Sequence, residues 1–412
     1  MPRHAVTLSR LAHAASGRLL AARHARSLAR HEMRRRILTG ALGVVVFLAT
    51  TMGMAYSNLQ GNIGRHDVDD LLGDDRPTRD DGQEPPDDPQ QGEPLNILVM
   101  GSDVRTEDDP DYGETLGMRS DTTMIAHVSA DRSRVEVVSI PRDTLVDIPS
   151  CQLPDGGETA EQYDAMFNSA FALGGQTGDV AYGAACTWKT VEALTGIPID
   201  DFVVVDFAGF EAVVDALDGV PMYIPEPIDD QRADLSLEAG CQVLNGHEAL
   251  GYARVRYGVS GDGSDISRIS RQQQLVAAIA REALSVHLLT NVPALYRFLD
   301  ASTKTLTTGD WVGQLPNMAG VATSLRGIEP DEIRFATMPF DWAGARVVPS
   351  SDAEAMWENM RADRPIDADI TGTGEEPTTE EPTSEEPTSE EPTTQEPTTE
   401  EPSEETTPEC TR

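Results

Sequence analysis

Lysine is nearly missing from this chain of 412 residues: Lys189 and Lys304 are the only two. Arginine is therefore the default cation, and a lone arginine carries little information, so spacing has to carry the argument. Aromatic residues make up only 5% of the chain. Basic residues are scarce overall, and the formal net charge is -38. Outside an N-terminal arm there is no continuous basic face, which argues against nucleic acid as a partner. No Walker-type glycine loop and no histidine cluster of zinc spacing occurs. The length allows roughly two to three ordinary domains.

The charge is unevenly placed. Residues 1–36 hold nine arginines against one acid, Glu32. Ile37–Tyr56 follows without a single charge, long enough to cross a bilayer core as a helix. Arginines before it and acids after it put residues 1–36 in the cytoplasm and the remainder outside, under the positive-inside rule. The small residues around Gly53-Met54-Ala55 leave a cleaved signal peptide as the rival, although the apolar run and the basic lead are both long for one. Either reading places the remaining chain outside the cytoplasm, where ATP-dependent chemistry is not expected. The expected localisation is the cell membrane, as a single-pass protein.

Residues 57–94 are rich in Asp, Gly, Pro and Gln and read as a disordered acidic linker. From Leu95 apolar runs of strand and helix type alternate. "LNILVMGSD", "TTMIAHVSA", "RVEVVSIPRD", "DFVVVDF" and "VPMYIP" read as strands. "GDVAYGAACTWKTVEALTG" reads as a helix, with Asp179 as N-cap and Gly196 past its end. "FAGFEAVVDALDG" is an amphipathic helix stopped by Gly219, and "DISRISRQQQLVAAIAREALS" a long one. "LNGHEALGYARVRY" reads as a short helix running into a strand. This alternation predicts an α/β fold, a sandwich of three α/β/α layers with helices on both sheet faces. Residues 95–285 would form its main part and 286–362 its C-terminal part. Residues 363–412 repeat Glu, Pro, Thr and Ser with Pro377, Pro382, Pro387, Pro392, Pro397 and Pro402 five residues apart, a disordered acidic tail. Of four cysteines, Cys151 and Cys186 flank one loop-helix segment and are expected to pair outside the cytoplasm. Cys241 has no evident partner, and Cys410 falls in the tail.

Two clusters carry chemistry. In "ARVRYGVSGDGSDISRISRQQQ", Arg254 and Arg256 share a face if the segment is a strand. Arg268, Arg271 and Gln272 share a helix face that continues through Leu275 and Ile279 and so turns inward. Inward guanidiniums must be paired or hold an anion, and Asp262 and Asp265 are available as structural partners. The second cluster comprises Asp103 and Arg105 in "GSDVR", Arg119 and Asp121 in "MRSDTT", and Arg142 and Asp143 in "SIPRD". All stand at strand ends or adjoining loops, where α/β sheets bind ligands. A few carboxylates among many arginines suit a polyphosphate with a divalent cation, although any single Asp there could be a turn or cap residue.

The order of "ILVMGSDVR", "RSDTTMIAHV", "VVSIPRDT", "FNSAFALGG", "TVEALTGIPIDDFVVVDFAGFEAVVDALDGV" and "LNGHEALGYARVRY…SRISRQQQ" resembles the LytR-CpsA-Psr family of bacterial cell-wall enzymes, over about Leu95 to Leu284. The resemblance implies a membrane-anchored phosphotransferase. Such an enzyme moves a glycopolymer from a polyprenyl-diphosphate carrier to peptidoglycan, with magnesium (or manganese), in an apolar-pocketed α/β/α domain. Carried over by motif, Asp103 and Asp121 would hold the metal. Arg105, Arg119, Arg142, Arg254, Arg256, Arg268 and Gln272 would bind the diphosphate, and Arg142, Arg268 and Asp121 would be catalytic. The base is not identified, Asp143 being a guess. Ser267 departs from the glycine common before the arginine, and nothing after about Ser285 is matched by the resemblance. A diphosphate hydrolase and a non-catalytic wall-binding or regulatory protein are the alternatives.

Overall fold

The computed structural model describes residues 5–74, 76–78, 92–103, 118–255, 257–258, 261–262, 265–325, 327–328, 332–366 and 410. The chain divides into two compact units, Met1–Gly61 and Asn62–Arg412. The first is built on one helix, α1 (Ala5–Asn62). Its Met33–Asn62 stretch is long and apolar enough to cross a membrane. Within it Thr39, Thr50 and Thr51 donate their hydroxyls to the carbonyls of Arg35, Val46 and Phe47. Those polar groups are thereby satisfied inside the helix, as hydrocarbon demands.

The second unit is organised around a seven-stranded mixed sheet. Its strands are β1 (Gly64–Arg65), β2 (Leu95–Ser102), β3 (Ser120–Val128), β4 (Val135–Ile140), β5 (Asp201–Asp206), β6 (Leu306–Thr308) and β7 (Arg334–Thr337). The spatial order is β1-β6-β5-β2-β3-β4-β7. β2 and β5 run parallel, as do β1 with β6 and β4 with β7, while the remaining pairs are antiparallel. The central strands are apolar on both faces, as strands covered by helices must be. Leu98 and Met100 of β2, Ile125 of β3 and Phe202 of β5 pack on one side. There they meet α2 (Asp69–Leu72), α3 (Ser169–Gly174), α4 (Val180–Thr195) and, near the C-terminus, the helix Ser351–Arg361. Leu95, Ile97, Val99, Met124 and Ala126 alternate with them and face the other side.

Beside that second face lies another apolar cluster. It joins α5 (Phe207–Ala216), α6 (Gly246–Arg254), α7 (Asp265–Ala283), α8 (Val286–Thr290) and α9 (Val292–Thr305) to the hairpin of Val220–Ile224 with Gly240–Leu244. α10 (Leu315–Ser324) and α11 (Ser351–Arg361) complete the helices. The three-layer arrangement is the one the alternation of strands and helices called for. The caps of α4 also stand where the sequence put them: Asp179 accepts from the Ala181 amide, and Gly196 is left-handed at φ 62°.

Two expectations are corrected. The folded unit starts well before Leu95: Val68 and Leu72 are buried in the core. Arg76 grips Glu192 through two hydrogen bonds of 3.1 and 2.8 Å while lying 4.9 Å from the Trp188 ring centre. One helical turn of "DDLL" among acids is too short for a periodic signal. The folded unit also runs past residue 363. Asp363 bonds His127 and Arg134, and Ile366 is buried with its amide on Glu136. Residues 286–362 belong to the same folded unit, supplying β6, β7 and the core residues Met356, Trp357 and Met360.

Two disulfides are present. Cys151 pairs with Cys186 at a Cα separation of 5.3 Å, tying a loop to α4. Cys241 pairs with Cys410 at 5.5 Å, so the cysteine without an evident partner takes the one from the acidic tail.

Candidate active site

β2 and β5 end side by side, Gly101 opposite Val205 and Ser102 opposite Asp206, and antiparallel β3 begins at the same level. Two parallel strands therefore deliver their carboxyl ends to one place, the usual position for a ligand in such sheets. A cavity of about 470 Å3 opens there, within the size range of small-molecule sites. Its floor is apolar, made by Val99, Met124, Val205, Phe210, Leu275 and Val276. Its polar lining comes from Asp103, Asp121, Arg232, Arg254, Arg268 and Gln272, together with Asp206 and Asp230.

Each polar group is held by the local fold. Asp103 sits just past β2, where its Oδ1 accepts the Arg119 amide at 2.6 Å and its own amide bonds the Arg119 carbonyl. That exchange staples the loop end to the start of β3. Asp121, one-third exposed, accepts from Arg142 Nη1 at 2.9 Å. Arg268, in the first turns of α7 and only 4% exposed, donates Nη2 to the Asp121 carbonyl at 3.4 Å. Asp121 thus stands between two arginines. α7 is held against α6 by Arg271, which donates to Val255 O at 2.5 Å, and by Gln272, which donates to Ala253 O at 3.3 Å.

Arg254 differs from the expected strand position. Asn245 and Glu248 form a capping box that starts α6, and the helix continues through Arg254 before Val255 turns extended. The guanidinium of Arg254 lies 5.3 Å from the Phe207 ring centre, a cation–π contact at the cavity wall. An alternating strand face shared with Arg256 does not arise at Arg254, and Arg256, like Arg105, lies outside the described residues.

The cavity brings together Asp103, Asp121, Arg254, Arg268 and Gln272. Arg142 reaches it through Asp121 and does not line it. The side chain of Arg119 is exposed and is not part of the lining; its backbone supports Asp103. Asp143 is also outside the lining, its Oδ1 paired with Arg346 at 3.0 Å, which counts against it as the base. Arg232 escaped the sequence reading. It sits in a turn between two short strands, Ile228–Asp230 and Leu235–Leu237, where Asp230 Oδ1 accepts its amide at 2.8 Å. Nothing periodic marks such a turn, and one arginine among acids gives no signal.

Comparison with known proteins agrees in breadth. The model of the LytR_cpsA_psr family matches residues 56–362. The probable cell wall biosynthesis protein LcpB of Corynebacterium glutamicum is 30% identical over 275 residues, 65% of this chain and 61% of that protein. The cell wall biosynthesis protein LcpA of the same organism is 28% identical over 265 residues, 59% of this chain and 49% of that protein. The matched segment therefore spans about half to three-fifths of these relatives. The regulatory protein MsrR of Staphylococcus aureus is 26% identical over 272 residues, 66% of this chain and 72% of its own. Among solved structures, protein gbs0355 from Streptococcus agalactiae superposes with a TM-score of 0.53 at 20% identity, covering 69% of this chain and 93% of that one. The LytR-Csp2A-Psr enzyme from Actinomyces oris does so at 0.51 and 19%, covering 73% and 96%. These two show the fold. The match through residue 362 takes in the segment after Ser285 that the motif order alone left unassigned, and the chain belongs to the LytR_cpsA_psr family.

Proposed function

We propose that the chain is a membrane-anchored, extracytoplasmic phosphotransferase that moves a glycopolymer from a polyprenyl-diphosphate carrier to peptidoglycan. One observation carries this reading: a single cavity joins an apolar floor to a lining of four carboxylates, three arginines and a glutamine. An amphiphile with an anionic head matches both halves. The relatives named for cell wall biosynthesis support the substrate class.

Asp103 and Asp121 suit a magnesium ion (or manganese). They are hard oxygen donors lining one cavity, and magnesium is typically held by one or two carboxylates with waters and phosphate oxygens. Among the described residues no group of three His, Cys, Asp or Glu forms a protein-only cage, so the remaining ligands would come from substrate and solvent. Bound there, the ion supplies positive charge to the diphosphate oxygens. Arg268 and Arg254 bind the non-bridging oxygens, the fork of Arg268 taking two at once. Arg142 fixes the Asp121 carboxylate, and Gln272 holds α7 on α6 so that Arg268 stays aimed. A sugar hydroxyl attacks the phosphorus next to the polymer; its P–O bond forms as its proton passes to solvent, and the bond to prenyl phosphate breaks. Catalysis is then mostly positioning and charge stabilisation. The name of MsrR keeps a regulatory reading in view.

The deciding test is Asp121→Ala in the full chain, with melting temperature and turnover of a synthetic prenyl-diphosphate glycan measured together. The phosphotransferase reading expects turnover to disappear with melting nearly unchanged. Proportional loss of both would make Asp121 a structural residue, and undiminished cellular function would favour the regulatory reading.

A further inference from the structure

One corner of the folded unit exposes apolar side chains that no core uses. Among its described residues six large apolar side chains are exposed. Two, Tyr163 and Val243, are isolated, whereas Leu284, Leu289, Val292 and Tyr296 fall within thirteen residues around α8 and the start of α9. Val292 is 73% exposed and Leu289 51%. α9 is two-sided. Ala294, Leu295 and Phe298 pack into the second core. Val292, Tyr296 and Asp300 instead follow one another at four-residue spacing along the outer side.

The first residue of the folded unit docks on this corner. Asn62 Nδ2 donates to Asp300 Oδ1 at 3.0 Å and to Thr303 Oγ1 at 3.2 Å, both on α9. Asn62 comes only six residues after Tyr56, the end of the charge-free run. Even fully extended, six residues reach about 20 Å. Covalent reach alone thus limits Asn62, which docks beside Asp300, to about that distance from Tyr56, and Tyr296 and Val292 follow Asp300 about 6 and 12 Å along the helix.

We propose that the α8–α9 corner is a second, peripheral membrane contact, in which Leu284, Leu289, Val292 and Tyr296 enter the headgroup region of the leaflet where the span emerges. This rests on reading Ile37–Tyr56 as a membrane anchor. Tyrosine is enriched at that depth, and an apolar edge flanked by cations suits it; Arg281 closes α7, and Arg297, paired with Asp218 at 3.6 Å, adjoins Tyr296. α7 carries Arg268 near its start and stops one residue before Leu284. The sixteen residues between those two make about 24 Å of helix. The contact would thus hold the diphosphate-binding arginines one helix length from the bilayer, so that a lipid-linked donor can enter the cavity with its tail still in the membrane.

The test uses the full chain in nanodiscs of brominated or ordinary phosphatidylcholine. Val292→Trp is compared with the parent and its four tryptophans, and Val46→Trp, inside the span, reports the anchor. The proposal expects the added Val292→Trp emission to fall at least twofold with brominated lipid, as does that of Val46→Trp. Quenching at residue 46 with none at 292 leaves the anchor intact and overturns the contact. No quenching at either removes the anchor reading and the proposal with it. An unquenched but blue-shifted, concentration-dependent emission at 292 also overturns it, assigning the patch to a second copy of the chain.

Discussion

Asp121 is held at both ends, Arg142 on its carboxylate and Arg268 on its carbonyl. Arg268 is almost fully buried on the cavity wall. If its task is to grip phosphate, Arg268→Lys should be severely impaired, because lysine keeps the charge and loses the planar fork. The expected loss in turnover is on the order of 100-fold, comparable to removal of one oxyanion donor, and is measured on a prenyl-diphosphate glycan with magnesium. Activity within about threefold of the parent, the scale of an interaction worth under 1 kcal/mol, would assign Arg268 to the scaffold. Sequence spacing was enough to put Arg268 and Gln272 on one inward helix face. It could not show that Arg142 acts through Asp121, because that contact spans two strands. Nor could it show that Asp143 is taken by Arg346, two hundred residues later in the chain.

At the scale of elements, the cavity depends on how closely α5 and α6 approach. Gly246 opens α6, and a Cβ there would lie 2.4 Å from the Glu211 carbonyl oxygen of α5. That obstacle is backbone and cannot swing aside. Gly246→Ala should cost about 3 kcal/mol, the upper end of overpacking penalties, read as a lowered melting temperature with reduced turnover, since Arg254 ends the same helix. An unchanged melting temperature would mean the two helices can separate freely. Asp201, at the start of β5, is buried with its oxygens on the Phe202 and Val312 amides. Burial raises its carboxyl to about 6, against the pull of those amides. A raised carboxyl favours the folded state when protonated. Its contribution is therefore full below about pH 4, the ordinary carboxylate value, and is lost as pH rises through about 6. Asp201→Asn should gain on the parent by about 2 kcal/mol in unfolding free energy between pH 4 and pH 7; a constant difference would show that Asp201 does not titrate in that window. Helices with strong caps, such as α4, are legible in the sequence alone, since an N-cap Asp and a C-terminal Gly mark both ends. The end of α6 is not, because "ARVR" alternates like a strand, while the capping box at Asn245 and Glu248 carries the helix through Arg254.

For the whole molecule, composition separated the basic arm, the apolar span and the acidic tail, and the strand–helix alternation was sufficient for the layered fold. The limits of the folded unit were not legible. Val68, Leu72 and Ile366 lie in apolar stretches of one or two residues near acids, and only the core they fill identifies them. The Cys241–Cys410 bond spans 169 residues and leaves no local signal. The central claim is that this assembly joins glycan to peptidoglycan through the phosphorus held at the cavity. The most direct measurement is phosphorus NMR of the products after the full chain has acted on a prenyl-diphosphate glycan with magnesium and peptidoglycan. The account predicts prenyl monophosphate and a new phosphodiester on peptidoglycan in equal amounts, both lost in Asp121→Ala. Release of a free glycan phosphomonoester with no phosphodiester would contradict it and make the protein a hydrolase.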